Sequence, residues 1–219
     1  MPMQINSDFG QRVVIQHDQL SWVASPIPGI EHRMLDRTGQ EPARTTSIVR
    51  YLPGSKFTSS IDDLGEEILV LEGQFSDESS DHPAGTYIKN SPGSSRTSFT
   101  ASGCLLFVKL HHLDPADRQH RVINTRTATW HPGLVPGLLV LTLSEFASTH
   151  TAIVRWAPNT HFNPHRHFGG EEIFVLEGVF EDEHGRYPAG SWIRSPHMSA
   201  HQPYSIEGCT ILVKTGHLK

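Results

Sequence analysis

The chain of 219 residues has only two cysteines, Cys104 and Cys209, and neither belongs to a C-x-x-C pair. A disulfide framework and a thioredoxin-like redox motif are thereby excluded. Long apolar runs are missing too, since nothing approaches the roughly 20 residues that cross a bilayer as a helix. The first residues, MPMQINSDFG, lack the basic-then-apolar layout of a signal peptide. The expectation is a cytoplasmic protein with no membrane partner. Lysine and arginine form no cluster and the net charge is −5. Nucleic acid is not an expected partner, because its binding needs a positive face that displaces phosphate counterions. No segment holds a 3.6-residue apolar stripe over three turns, and no nucleophilic triad or phosphate loop is present. Chemistry, if the chain performs any, has to come from elsewhere.

What the sequence does contain is a duplication. EEILVLEGQFSDE at 66–78 returns 105 positions later as EEIFVLEGVFEDE at 171–183. The same offset joins SIVRYLPGS (47–55) to AIVRWAPNT (152–160) and GCLLFVK (103–109) to GCTILVK (208–214). Upstream the offset becomes 108, pairing Trp22 with Trp130 and Pro28-Gly29 with Pro136-Gly137. Each copy consists of short runs rich in Val, Ile, Leu, Phe and Tyr, punctuated by Gly, Pro, Asp and Ser. That pattern predicts buried strands of a sandwich or barrel. The expected division is a first barrel over 1–113, a linker over 114–129 and a second barrel over 130–219. Within the linker DPADRQH (114–120) is the best helical candidate, with Asp114 as cap and Pro115 at the first position. Residues up to about Gln19 are expected to form an extra strand or arm.

Fifteen histidines are unevenly placed, with a dense group between His161 and His201. His165 and His167, two apart on an extended segment, point to one side of a sheet. Glu171 follows across the Gly169-Gly170 bend, and His201 can close the set from a later strand. Three imidazoles and a carboxylate inside a small barrel suit one divalent first-row metal. Imidazole and carboxylate buried without a partner would be costly, which favours ligation over idle strand histidines. Glu172 is the rival carboxylate, and the spacing to Gly178 favours Glu171. In the first copy the same positions hold Ser60, Asp62, Glu66 and Arg96. An internal salt bridge of Arg96 with Glu66 and Asp62 is expected to replace the metal there. His161 shares strand parity with His165 and could line the mouth, but reads first as a satisfied strand histidine; His197 reads as exposed, and His111 and His112 as solvated. Cys104 and Cys209 read as small buried thiols. Trp156, Phe174 and Trp192 read as core, one of them able to wall a pocket.

Residues 159–178 and 190–201 match the two cupin motifs, with Asn159 and Met198 standing where glycines are usual. GGEEIFVLEGVFEDEHGRYPAGSWIRSP and EGCTILVK resemble the ChrR-like cupins in particular. That resemblance implies two tandem all-β, double-stranded barrels holding one divalent ion, zinc or iron foremost with manganese or nickel also compatible, the metal ligands falling on His165, His167, Glu171 and His201. It implies a regulatory module related to the sensory domain of anti-sigma factors, responsive to oxidative stress or a small molecule. The N-terminal zinc-binding anti-sigma domain, with its C-x-x-C, has no counterpart in this sequence. The alternative it implies is a metal-dependent dioxygenase that cleaves small diketones or hydroxyketones. Either way the expected partner is a small molecule at the metal, and a further homodimer is compatible with the duplication.

Overall fold

The computed structural model describes residues 3–58, 64–95 and 97–218. Among these residues the long elements are all strands, and helix is confined to one 3-10 turn, His17–Gln19. The chain divides into two compact units. Unit 1 comprises Met1–Ser7 and Leu20–Thr127, and unit 2 comprises Asp8–Gln19 and Ala128–Lys219.

Each unit is an antiparallel sheet folded on itself. In unit 2 the strands run Val13–Gln16, Ser191–Ser195, Glu171–Asp182, Cys209–Thr215, Thr149–Trp156, Leu138–Phe146 and His131–Pro132. In unit 1 the order is Arg121–Asn124, Thr86–Asn90, Glu66–Asp77, Cys104–Leu110, Arg44–Tyr51, Ile30–Thr38 and Val23–Ala24. The two orders match strand for strand, as the repeat requires. The strand that precedes copy one in the sequence therefore edges unit 2, and the strand that precedes copy two edges unit 1. Segment 114–120 makes a turn rather than a helix. The Asp117 amide donates to the Asp114 carbonyl at 2.8 Å. The Asp117 carboxylate turns inward to the buried Lys89 ammonium, and satisfying that cation outweighs weak helical propensity.

The longest strand of each unit serves two leaves of the fold. The first half of Glu171–Asp182 pairs with Ser191–Ser195 and Cys209–Thr215, and the second half with Gly185–Pro188 and Tyr204–Ser205. Between the halves the register against Cys209–Thr215 shifts by one residue, between Val175 and Glu177. Such a bulge changes which parity faces inward. Ile173 and Val175 enter the core before it, and Phe180 enters after it. Glu66–Asp77 does the same, with Ile68 and Val70 before its bulge and Phe75 after.

Gly178 sits in the bulged stretch at φ +70°, and a Cβ there would come within 2.1 Å of the Gly208 carbonyl. Gly54 has a similar φ of +77° but open space around it. Gly54→Ala is expected to cost about 1 kcal/mol of backbone strain. Gly178→Ala should cost clearly more, at least about 2 kcal/mol, read from denaturant unfolding. Equal losses would show that φ alone, and not the approach of Gly208, dictates position 178.

Both cysteines are free and buried. Burial pushes the Cys104 thiol up to about 12 and the Cys209 thiol to about 11, so neither forms thiolate near neutral pH. Neither should react with iodoacetamide at pH 8 until the protein unfolds, as mass spectrometry of labelled protein will report. Rapid labelling of native protein would contradict this.

Candidate metal centre

The four residues singled out in the second copy come from three neighbouring stretches of unit 2. His165 opens a two-residue strand, His165–Arg166, whose partner is Ala200–His201 with His165 opposite His201. The pairing continues where the His167 amide donates to the Ser199 carbonyl at 2.9 Å and Met198 returns a bond to the His167 carbonyl at 2.9 Å. Gly169 and Gly170, both at positive φ, then turn the chain so that Glu171 starts the long central strand.

One nitrogen or oxygen from each of His165, His167, Glu171 and His201 lies within 4.8 Å of the others. His167 Nε2 and His201 Nε2 are 3.0 Å apart. Glu171 Oε2 is 3.4 Å from the first and 3.5 Å from the second. The His165 ring centroid lies 4.5 Å from that of His167 and 4.9 Å from that of His201. His167, Glu171 and His201 are buried, and His165 is half-buried. Phe162 stands 5.0 Å from the His165 ring and Phe180 6.2 Å from His201, with Trp156 behind both. The polar cluster therefore has an apolar, aromatic surround.

Electrostatics agree with a cation at this point. Two imidazole nitrogens at 3.0 Å repel if both present lone pairs, so a proton or a metal must lie between them. Burial pushes the Glu171 carboxyl up to about 7, with the Asp182 charge adding and His201 opposing. Burial, then the charges of His201 and His165, push His167 down to about 3. A neutral imidazole beside a carboxylate that water cannot solvate is a donor set that a divalent ion would satisfy. The four residues fit such an ion.

Their outer partners fix which nitrogen faces inward. His165 Nδ1 lies 2.9 Å from the Asn163 carbonyl, an acceptor only, so Nδ1 carries the proton and Nε2 the lone pair. His201 Nδ1 lies 3.4 Å from Asp182 Oδ2. Burial alone would raise the Asp182 carboxyl. Hydrogen bonds from His201, Tyr187 and the His184 amide, with the Arg12 charge, instead hold it at about 2. The same network outweighs burial at His201 and raises its pKa. Sequence reasoning missed Asp182, Tyr187 and Arg12. The available signal was the acidic residue shared by both copies, Asp77 and Asp182, whose inward direction is concealed by the bulge.

The remaining candidates lie elsewhere. Glu172 accepts from Trp192 Nε1 at 3.1 Å and meets His217, away from the cluster. His161 is exposed and stacks on Tyr204 at 5.4 Å. Exposed His197 accepts from the Gly169 amide through Nδ1 at 2.8 Å. His111 and His112 are half-buried rather than solvated, because their rings bond the carbonyls of Ala43 and Thr45 at 2.8 and 2.9 Å. Phe174 and Trp192 are buried. In unit 1, Glu66 accepts from Asn90 Nδ2 at 2.9 Å. Ser60, Asp62 and Arg96 lie outside the described residues.

The family model of the ChrR Cupin-like domain matches the chain twice, over residues 10–114 and 118–219, and the chain belongs to that family. No curated protein matches the sequence. Among solved structures, a provisionally assigned dioxygenase from Nostoc punctiforme superposes with a TM-score of 0.78 at 13% identity, covering 95% of this chain and 84% of its own. YlbA from E. coli gives 0.74 at 16% identity, covering 95% and 92%. An oxalate decarboxylase from Lactobacillus farciminis gives 0.66 at 11%, covering 94% and 86%. At such identities the likeness concerns the fold, which is a pair of tandem cupin barrels. No helix among the described residues is long and apolar enough to cross a membrane.

Asp77, the unit 1 counterpart of Asp182, provides a pH test. Burial opposes its ionisation, but bonds from Ser79, His82 and the Ser80 amide bring it down from 3.8 to about 2. A carboxyl depressed in the folded state stabilises above its unfolded value and loses that contribution as pH falls through the folded one. Asp77→Asn should therefore lower stability at pH 6 and weaken its decline between pH 4 and 2. Parallel acid-unfolding curves for the two proteins would refute the assignment.

Proposed function

We propose that unit 2 is a mononuclear metal centre and that its chemistry is dioxygenation of a small enolisable carbonyl compound. The carrying observation is the convergence of His165, His167, Glu171 and His201 within 4.8 Å in an aromatic surround. Three neutral imidazoles and one carboxylate neutralise only one charge of a divalent ion. The remaining positive charge, in a poorly solvated pocket, favours a monoanionic chelator such as an enolate or carboxylate. When bound, a redox-active ion such as iron would supply Lewis acidity and access to dioxygen.

The chain's own residues have defined parts in this reading. Asn163 and Asp182 hold the outer nitrogens of His165 and His201, keeping the inner ones aimed at the ion. Half-buried His165 marks the side from which a small molecule enters. Phe162 and Phe180 exclude water. Carbon–carbon cleavage of a hydroxyketone with dioxygen yields two carboxylic acids, and both oxygen atoms end in the products. The provisional assignment of one similar structure as a dioxygenase accords with this chemistry.

A second reading, a sensory or regulatory module of the anti-sigma type, is favoured by the family description. Under it the metal is zinc, and the bound ion or its ligand changes the packing of a partner-facing surface. The expected result is about one divalent ion per chain by elemental analysis, lost in His167→Ala. Oxygen uptake with iron-loaded protein and small diketones or hydroxyketones would support the first reading. One tightly held zinc with no uptake would support the second. Absence of metal from the wild-type protein, even after loading, overturns both.

A further inference from the structure

Arg12 is separated from Asp182 by 170 positions, yet the two meet beside the candidate centre. Arg12 Nη2 donates to Asp182 Oδ2 at 3.1 Å and to the Tyr187 hydroxyl oxygen at 2.7 Å. The Tyr187 hydroxyl donates to Asp182 Oδ1 at 2.8 Å, as does the His184 amide at 2.8 Å. Asp182 Oδ2 also faces His201 Nδ1 at 3.4 Å. The Asp182 side chain is 2% exposed. It is clamped on every side, with one side of the clamp coming from the N-terminal arm.

That arm is held to unit 2 by a short strand. Val13–Gln16 pairs residue for residue with Ser191–Arg194. Gln16 Nε2 donates to the Ala189 carbonyl at 2.9 Å, and Ser191 Oγ donates to Gln16 Oε1 at 2.8 Å. Arg194 Nη2 donates to the Asp8 carbonyl at 2.9 Å and lies over the Phe9 ring. The equivalent acid in unit 1, Asp77, is satisfied by Ser79, Ser80 and His82, all within five residues of it. Among the described residues, the acid of the barrel that retains the histidine set takes a guanidinium from a distant arm, and its local partner at position 187 is a tyrosine where unit 1 has His82.

We infer that Arg12 is a positioning residue for His201, acting through Asp182, and that docking of segment 8–19 and metal binding at the centre stabilise one another. The inference rests on the metal reading above. Asp182 sets the tautomer and ring orientation of His201, as outer carboxylates do for ligating imidazoles. Arg12 and Tyr187 keep Asp182 in the rotamer that reaches His201. Coupling free energies are reciprocal: if the docked arm raises metal affinity, the metal must favour the docked arm by the same factor.

The test uses the full chain and Co(II) or Zn(II) as probe, with affinity measured by competition against a chromogenic chelator. Arg12→Gln and Asp182→Asn should each weaken binding about ten- to a hundredfold. Arg12→Lys, which keeps the charge and a donor nitrogen on a side chain of different shape, should recover part of the loss. Arg155→Gln, on the exposed outer face, should match wild type. Hydrogen exchange supplies a readout that simple destabilisation would not move. Metal should increase protection of the Val13–Gln16 amides in the wild type and leave them unchanged in Arg12→Gln. Unaltered affinity in Arg12→Gln, or arm protection insensitive to metal in the wild type, overturns the inference while leaving the metal centre intact. A wild-type protein that binds neither ion removes the metal reading itself and the inference with it.

Discussion

One residue out of register in strand Glu171–Asp182 determines which side chains meet at the centre. Glu171 and Asp182 are eleven positions apart, so in an uninterrupted strand they would face opposite sides of the sheet. The shift between Val175 and Glu177 brings both to the same imidazole, with Glu171 toward His201 Nε2 and Asp182 toward Nδ1. The inner ligand and the outer orienting group are thereby supplied by a single strand. Gly178 follows the shift directly, where the backbone passes so close to Gly208 that a Cβ would lie within 2.1 Å of its carbonyl. Unit 1 repeats the arrangement with Gly73 against Gly103, which makes the bulge a property of the fold rather than of the metal.

The rest of the site follows from covering a polar cluster with apolar surface. Phe162, Phe180 and Trp156 surround the histidines, removing the water that would otherwise solvate Glu171. The carboxyl responds by holding its proton up to about 7, and a divalent ion can relieve that desolvation more completely than a proton. Unit 1 keeps the bulge, the Phe75 equivalent of Phe180 and the Asp77 equivalent of Asp182. The two copies thus share the scaffold and differ in sequence at three of the four ligand positions.

The repeat at a fixed offset made the all-β tandem architecture legible in the sequence, and HxHxxxE with a later histidine made the cluster legible. Two motif departures have a clear physical reading. Asn159 and Met198 stand where glycines are usual, and both adopt the left-handed conformation, with φ of 60° and 65°. The fold demands the backbone angle and tolerates the side chain. The edge strand's destination was not legible, because Val13–Gln16 and Arg121–Asn124 look alike and nothing local says which sheet each will join. Arg12 was hidden for the same reason, since its partner is fixed by that pairing and not by spacing. The linker read as a helix from Asp114 and Pro115, but the buried Lys89 drew Asp117 inward and limited it to a turn.

The four-residue metal centre is tested most directly by X-ray absorption at the edge of whichever metal the purified or reconstituted protein holds. The expected spectrum shows a first shell of nitrogen and oxygen only, at about 2.0–2.2 Å, with the outer-shell scattering of several imidazoles. A shell containing sulfur at about 2.3 Å, or one lacking imidazole, would contradict it. Either result would show that His165, His167, Glu171 and His201 are not the ligands.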